Sequence, residues 1–144
     1  MLLHGEWLTD DDGIERPTIR GEVLTADDLW LDTVFLVDTG ADRTVLHSGL
    51  ATDLGFELPD AGERYLGVGG SIETSTIPSK LRFQRSDETW LTINGPFPAF
   101  TDPLASDCSI LGRDVLKLFT LIADPFTRTL TLIRDRHRYH VFEA

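Results

Sequence analysis

Phe35-Leu36-Val37-Asp38-Thr39-Gly40-Ala41-Asp42-Arg43-Thr44-Val45-Leu46 is the stretch on which the fold turns. Val34 to Val37 are apolar and mostly branched or aromatic, the pattern of a short buried strand. They run straight into an aspartate. Gly40 then permits a sharp turn. A carboxylate carried from a rigid strand onto a tight turn is held in fixed geometry, as a reactive site requires. Asp-Thr-Gly also describes an ordinary loop turn, so the remaining chain has to decide between the two.

Outward from that stretch, strand signals dominate. Upstream, Thr18 to Leu24 partly alternates apolar and polar residues, Thr25-Ala26-Asp27-Asp28 is a turn, and Leu29 to Thr33 leads into the apolar run. That order predicts a hairpin. Downstream, Leu46, Leu50 and Leu54 share one face of a short helix, with Gly55 as its stop. His47 reads as a helix-start or surface residue, because no partner for a ligand or base role is evident. Leu81 to Arg85 and Trp90 to Ile93 form a second hairpin about the turn at Ser86-Asp87-Glu88. The proline-rich connection from Asn94 to Pro103 reads as irregular.

Two further stretches stand out. Tyr65-Leu66-Gly67-Val68-Gly69-Gly70-Ser71-Ile72 sets three glycines in four residues between strand-like segments, which describes a hairpin tip. It is not a phosphate loop, since no Lys-Ser or Lys-Thr follows, and it lacks the six-position dinucleotide fingerprint. A glycine hairpin of this kind suits a lid that closes over a substrate. Ser109-Ile110-Leu111-Gly112-Arg113-Asp114 places branched residues before a glycine, followed by a short helix with Val115, Leu118 and Phe119 on its apolar face. Thr120 to Asp124 and Thr129 to Ile133 make a last hairpin. The latter is expected as an exposed apolar edge of the kind that pairs with another strand.

The chain has 144 residues, one domain's worth, with a net charge of −11. That charge repels a phosphate backbone, so nucleic acid is excluded as a natural partner. No apolar run is long enough to span a membrane as a helix, and the first residues lack a secretory pattern. Cys108 is the single cysteine, so neither an internal disulfide nor a cysteine metal cluster is expected. The expected location is the cytoplasm. Two lysines stand against eleven arginines in an Asp-rich chain. Such a surface suits high salt, and a high-GC codon bias produces the same composition. The segment after Ile133, Arg134-Asp135-Arg136-His137-Arg138-Tyr139-His140, is basic. It reads as a solvated terminus, and His137 and His140 do not amount to a metal site.

Taken together and in order, Val37-Asp38-Thr39-Gly40-Ala41-Asp42, Gly67-Val68-Gly69-Gly70 and Ile110-Leu111-Gly112-Arg113 resemble the retropepsins, the retroviral-type aspartic proteases. The resemblance covers residues 17–133 and looks closest to the cellular, non-viral branch, because the chain continues beyond the helix as a hairpin. It divides the chain into an N-terminal extension (1–16), the protease domain (17–133) and a basic C-terminal tail (134–144). It implies an all-β fold, a single-lobe acid-protease barrel with one or two short helices, assembled as a two-fold dimer. It implies Asp38 as the catalytic carboxylate, Thr39 as a brace across the subunit boundary and Gly40 as a backbone contact to bound peptide. Ala41 completes that turn. Leu66, Gly67, Val68, Gly69 and Gly70 would form the flap over the substrate. Arg113 would pair with Asp42 and hold the floor of the site. Tyr65 precedes the glycines, without a clear match to the flap tyrosine of pepsin.

The chemistry agrees. Hydrolysis without a metal, cysteine or serine nucleophile needs a base to activate water and an acid for the leaving nitrogen. Two carboxylates sharing one proton supply both, because like charges about 3 Å apart cannot both ionise. Asp-Thr-Gly occurs once, since Asp32-Thr33-Val34 lacks the glycine, so the second carboxylate has to come from another copy of the chain. The expected partners are a homodimer mate and a peptide or protein substrate, with no cofactor and no metal. An aspartyl-phosphate enzyme would need a second acid two residues on, or Lys-Thr-Gly after the aspartate; Gly40 and Thr39 stand there instead. The alternative from a different class is a non-catalytic or latent binding module on the same fold.

Overall fold

A computed structural model describes residues 1–57, 64–67 (backbone alone) and 70–134. The elements in chain order are β1 (Leu2–Thr9), β2 (Glu15–Leu24), β3 (Trp30–Val37), α1 (Ser48–Asp53), β4 (Arg64–Gly67) and β5 (Gly70–Ile77). There follow β6 (Lys80–Gln84), β7 (Trp90–Asn94), β8 (Phe97–Phe100), β9 (Ser109–Leu111), α2 (Arg113–Leu116), β10 (Thr120–Asp124) and β11 (Thr129–Ile133). The architecture is all-β with two short helices, in one lobe. An eight-stranded sheet runs β10-β11-β1-β2-β3-β9, with β6 added to β2 and β7 to β6, and a three-stranded sheet runs β4-β5-β8.

The expected hairpins form: β2 with β3, β6 with β7 and β10 with β11 are all antiparallel. Their inward side chains join those of β1, β5, β9 and the segment before α1 in one core, in which Leu3, Phe35, Leu46, Ile77, Leu81 and Leu111 are fully buried. Phe35 and Phe83 meet as tilted rings with centroids 5.7 Å apart, a favoured aromatic geometry. The outer face carries the reverse composition. There Arg82 lies over the rings of both Trp30 and Trp90, at 4.2 and 4.0 Å from their centroids, and pairs with Glu22. Stacked cations and long side chains cover apolar surface that would otherwise face water.

Four features depart from the pattern-based reading. Leu2–Thr9, from the segment set apart as an extension, is a strand: residues 2–5 pair with β11 and residues 6–9 with β2. In consequence Thr129–Ile133 is no edge. It lies between β10 and β1, and among the described residues β10 is the outer strand on that side of the sheet. The connection after Asn94 contains β8, every residue of which is buried. Pro98 lacks an N–H, yet its carbonyl accepts from Leu46 N at 2.8 Å. The strand tolerates proline because, among the described residues, an isolated bridge and no full ladder flanks that side. Finally, α2 is a single turn that buries Val115 and Leu116, while Leu118 is exposed. At one turn the helix is too short for the expected i, i+3, i+4 stripe to develop.

Around α1 the expectation holds with one adjustment. Leu46, Leu50 and Leu54 are all buried, but Leu46 arrives on extended backbone, before the helix. His47 caps the helix, its Nδ1 accepting from Gly49 N at 3.1 Å. Gly55 ends it with φ of +74°, a left-handed conformation natural to glycine just past a helix.

Candidate active site

β3 delivers Asp38 onto a loop that is held from below by β9. The two strands run parallel, Phe35 beside Ser109 and Val37 beside Leu111. Asp38 N continues that ladder by donating to Leu111 O at 3.1 Å. On the other side of β9, Val45 and Ile110 exchange backbone bonds of 3.0 and 2.8 Å. The chain therefore leaves β3, turns through Asp38-Thr39-Gly40 and comes back along the far side of β9. Leu46 then bridges onto Ala99 of β8 and links the two sheets. Asp38 is half-buried, whereas Thr39 and Gly40 are exposed at the apex.

The turn itself is self-bonded. Gly40 N donates to Asp38 Oδ1 at 2.8 Å, and Ala41 N to Asp38 O at 3.3 Å. One carboxylate oxygen is thus fixed by a backbone N–H, which orients the group without a neighbouring side chain. The start of α2 grips the other limb. Arg113 N donates to Ala41 O at 2.8 Å, and Asp114 N to Asp42 O at 3.2 Å.

Beneath this lies a polar knot that sequence reasoning did not assign. Asp114 Oδ1 accepts from Thr44 N at 2.8 Å, Thr44 Oγ1 at 2.8 Å and Val115 N at 2.9 Å. Thr44 Oγ1 in turn accepts from Gly112 N at 3.0 Å. Thr44 is fully buried, so each of these groups depends on the others for its partner. Gly112 is obligatory here. A Cβ on it would lie 2.3 Å from the backbone carbon of Arg43 and 2.4 Å from its oxygen. The signal that could have found the knot is the acid that opens α2, two residues after that glycine.

Arg113 and Asp42 do form an ion pair, within one chain. Its side chains are 58 % and 79 % exposed, so the pair sits in water and not in the floor. Asp38, Thr39, Gly40, Ala41, Asp42 and Arg113 are therefore brought together, with the last two at the rim.

The glycine stretch folds as a hairpin. β4 pairs with β5 antiparallel, Leu66 opposite Ser71 and Gly67 opposite Gly70. Val68 and Gly69 lie outside the described residues, as do His137, His140 and the basic tail beyond Arg134. β5 continues onto β8, Thr74 opposite Phe100. Between the base of the hairpin and the segment after β8 is a cavity of about 400 Å³, lined by Ser71, Ile72, Glu73, Thr101, Asp102 and Ala105. Among the described residues no group of three or more His, Cys, Asp or Glu is placed to hold a metal, and no helix is long and apolar enough to cross a membrane.

Residues 23–115 match the family model described as aspartyl protease. No curated protein matches the chain. Among solved structures, a retropepsin-like aspartic protease from Rickettsia conorii has the same fold, with a TM-score of 0.58 at 19 % identity, covering 92 % of this chain and 88 % of that one. The EIAV protease, solved with the inhibitor HBY-793, is 26 % identical and covers 76 % of this chain and 92 % of its own, with a TM-score of 0.49.

Proposed function

The chain belongs to the aspartyl protease family, and from that premise we propose that it is an endopeptidase whose water is activated between the Asp38 carboxylates of two copies. The observation that carries this reading is the placement of Asp38. It stands at the end of a buried strand, half-buried, with Oδ1 held by Gly40 N–H at 2.8 Å. The chain has one Asp-Thr-Gly, so a second carboxylate requires a second subunit. On a two-fold axis the two groups share one proton.

In the proposed reaction the ionised carboxylate takes a proton from water as its oxygen bonds to the peptide carbonyl carbon. The protonated carboxyl gives its proton to the carbonyl oxygen. Collapse of that adduct breaks the C–N bond. One of its hydroxyls returns a proton to the second carboxylate while the leaving nitrogen takes up the proton first drawn from water, so the pair ends with one proton, as it began. Thr39 braces the turn across the subunit boundary, Gly40 offers a backbone contact to the peptide, and Ala41, Asp42 and Arg113 support the loop. Leu66, Gly67, Val68, Gly69 and Gly70 serve as the flap. The protease domain is proposed as residues 17–133, to which β1 and the start of β2 are added to complete the sheet. The single cysteine fits a reducing compartment, and the cytoplasm is the proposed location.

A dilution series tests the shared site. Specific activity on denatured casein at mildly acidic pH is expected to fall as the protein is diluted, in step with dissociation seen by sedimentation. Added salt should shift both transitions to lower concentration, because the Debye length contracts from about 30 Å at 0.01 M to about 3 Å at 1 M and screens the net charge of each copy. Specific activity that stays constant through a demonstrated monomer range would rule out a site made by two copies.

A further inference from the structure

We infer that Arg16 is a positioning residue of the cleft, because its guanidinium ties the segment between β8 and β9 to the β1–β2 turn and so sets the wall facing the base of the glycine hairpin. The inference rests on the protease reading for its kinetic consequence, but not for the contact itself.

The grip is two-sided. Arg16 Nη1 lies 3.0 Å from both Asp107 carboxylate oxygens, and Nη2 lies 2.8 Å from Asp10 Oδ2. The Asp10 side is firm. Its carboxylate is largely buried, and its Oδ1 accepts from Asp12 N and Ile14 N at 3.0 and 2.8 Å, which folds the turn. Arg16 is itself part of β2, opposite Leu8 of β1. The Asp107 side is the one that needs holding. Leu104 N and Ala105 N donate to Asp102, and Ser106 Oγ donates to Cys108 O, so the segment's bonds are mostly internal. Among the described residues, Arg16 is the one polar partner outside the segment between Asp102 and Cys108.

What that segment does follows from its two ends. At one end Thr101 is bonded to Glu73 O, and Thr101, Asp102 and Ala105 form one wall of the cavity of about 400 Å³. Ser71, Ile72 and Glu73 of the glycine hairpin form the other wall. At its other end the segment enters β9, which holds the Asp38 loop by its own backbone ladder. Releasing Arg16 therefore shifts the wall and leaves the Asp38 loop in place. A wall that binds substrate and transition state alike changes KM and not kcat. The contact also persists at acid pH. The hydrogen bond from Arg16, foremost, holds the Asp107 carboxyl below the usual carboxylate range.

The test combines amide hydrogen exchange of residues 102–108 with peptide kinetics, in Asp107→Asn, Arg16→Gln, their double variant and Arg16→Lys. Either single change is expected to speed exchange in 102–108 about fivefold, and the double no further, because both remove one contact. KM should rise about fivefold with kcat within twofold, and Arg16→Lys, which keeps the charge without the fork, should fall between. Unchanged exchange in Asp107→Asn, additive effects in the double variant, or a loss confined to kcat would overturn the inference. If the unaltered protein cleaves no peptide, the protease reading fails, and exchange alone decides whether Arg16 anchors the segment.

Discussion

Asp42 and Asp114 flank the same loop and bond across the same gap, yet their surroundings differ. Asp42 meets Arg113 at the rim, where both side chains are mostly in water. Asp114 reaches inward, and one of its oxygens takes three donors, two of them from the fully buried Thr44. Opposite charges next to motif glycines catch the eye in a sequence. The free energy lies instead where water has been removed, since an exposed ion pair contributes about 0–1 kcal/mol while a buried donor left unsatisfied costs about 1–3 kcal/mol. The knot holds the floor, and the ion pair decorates its edge.

Asp38 supplies the sharpest contrast to both. Its carboxylate takes one N–H from its own turn, so little of the fold depends on its charge. Asp38→Asn should lower peptide hydrolysis about 10²–10⁴-fold, the range that general acid–base groups contribute. The urea midpoint at fixed protein concentration should not move. Retention of more than a few per cent of activity would remove Asp38 from the chemistry. A fallen midpoint would make it a second floor residue.

How much of this was legible follows the same division. β3, Asp38 and its turn could be read because a buried strand and a glycine turn are local patterns, complete within about ten residues. The hairpins flanking them could be read for the same reason. β1 could not, because its eight residues pair partly with a strand more than a hundred positions away, Leu2 opposite Ile133. Adding β1 is what turned β11 from an expected edge into an interior strand. β8 hid behind Pro96 and Pro98, since tolerance of proline depends on what lies alongside a strand. The knot was invisible for a related reason. Thr44 and Asp114 are seventy positions apart, and the acid two residues after Gly112 marks one half of the knot without naming Thr44 as the other.

Gly112 offers the next largest effect, and it probes the floor without touching charge. A methyl group there would collide with backbone atoms of Arg43 and Thr44, neither of which can turn aside like a side chain. Gly112→Ala should destabilise by about 3 kcal/mol, the upper part of the overpacking range. Urea unfolding reads it directly. A cost under about 1 kcal/mol would mean that α2 can slide away from the loop, and the floor would then be softer than the contacts imply.

Asp114→Ala should cost about 2–3 kcal/mol, because Thr44 N–H, its hydroxyl and Val115 N–H all lose their acceptor. Asp114→Asn keeps a carbonyl oxygen in place and should cost about 1 kcal/mol, the part due to charge. Activity should follow stability in both, falling where the fold loosens and returning under stabilising conditions. Equal costs for the two variants would show that charge, and not acceptor geometry, holds the floor.

The smallest effect belongs to the pair that the sequence made most conspicuous. Had Asp42 and Arg113 been buried, removing either would strand a charge and cost about 3–5 kcal/mol. At the observed exposure, water replaces the missing partner, and Asp42→Asn should cost no more than about 1 kcal/mol in a single copy. The main-chain bonds from Arg113 N to Ala41 O and from Asp114 N to Asp42 O survive that change, since neither uses a side chain. Salt separates the two mechanisms further. Screening at 1 M acts within about 3 Å and should erase most of the rim contribution, while the Asp114 knot, shielded from ions, should keep its full cost. The measurement is the difference in urea midpoint between Asp42→Asn and the unaltered chain, at low and high salt, under conditions where the protein is monomeric. A large loss that salt leaves untouched would reverse the ranking of the two aspartates and return Arg113 to the floor.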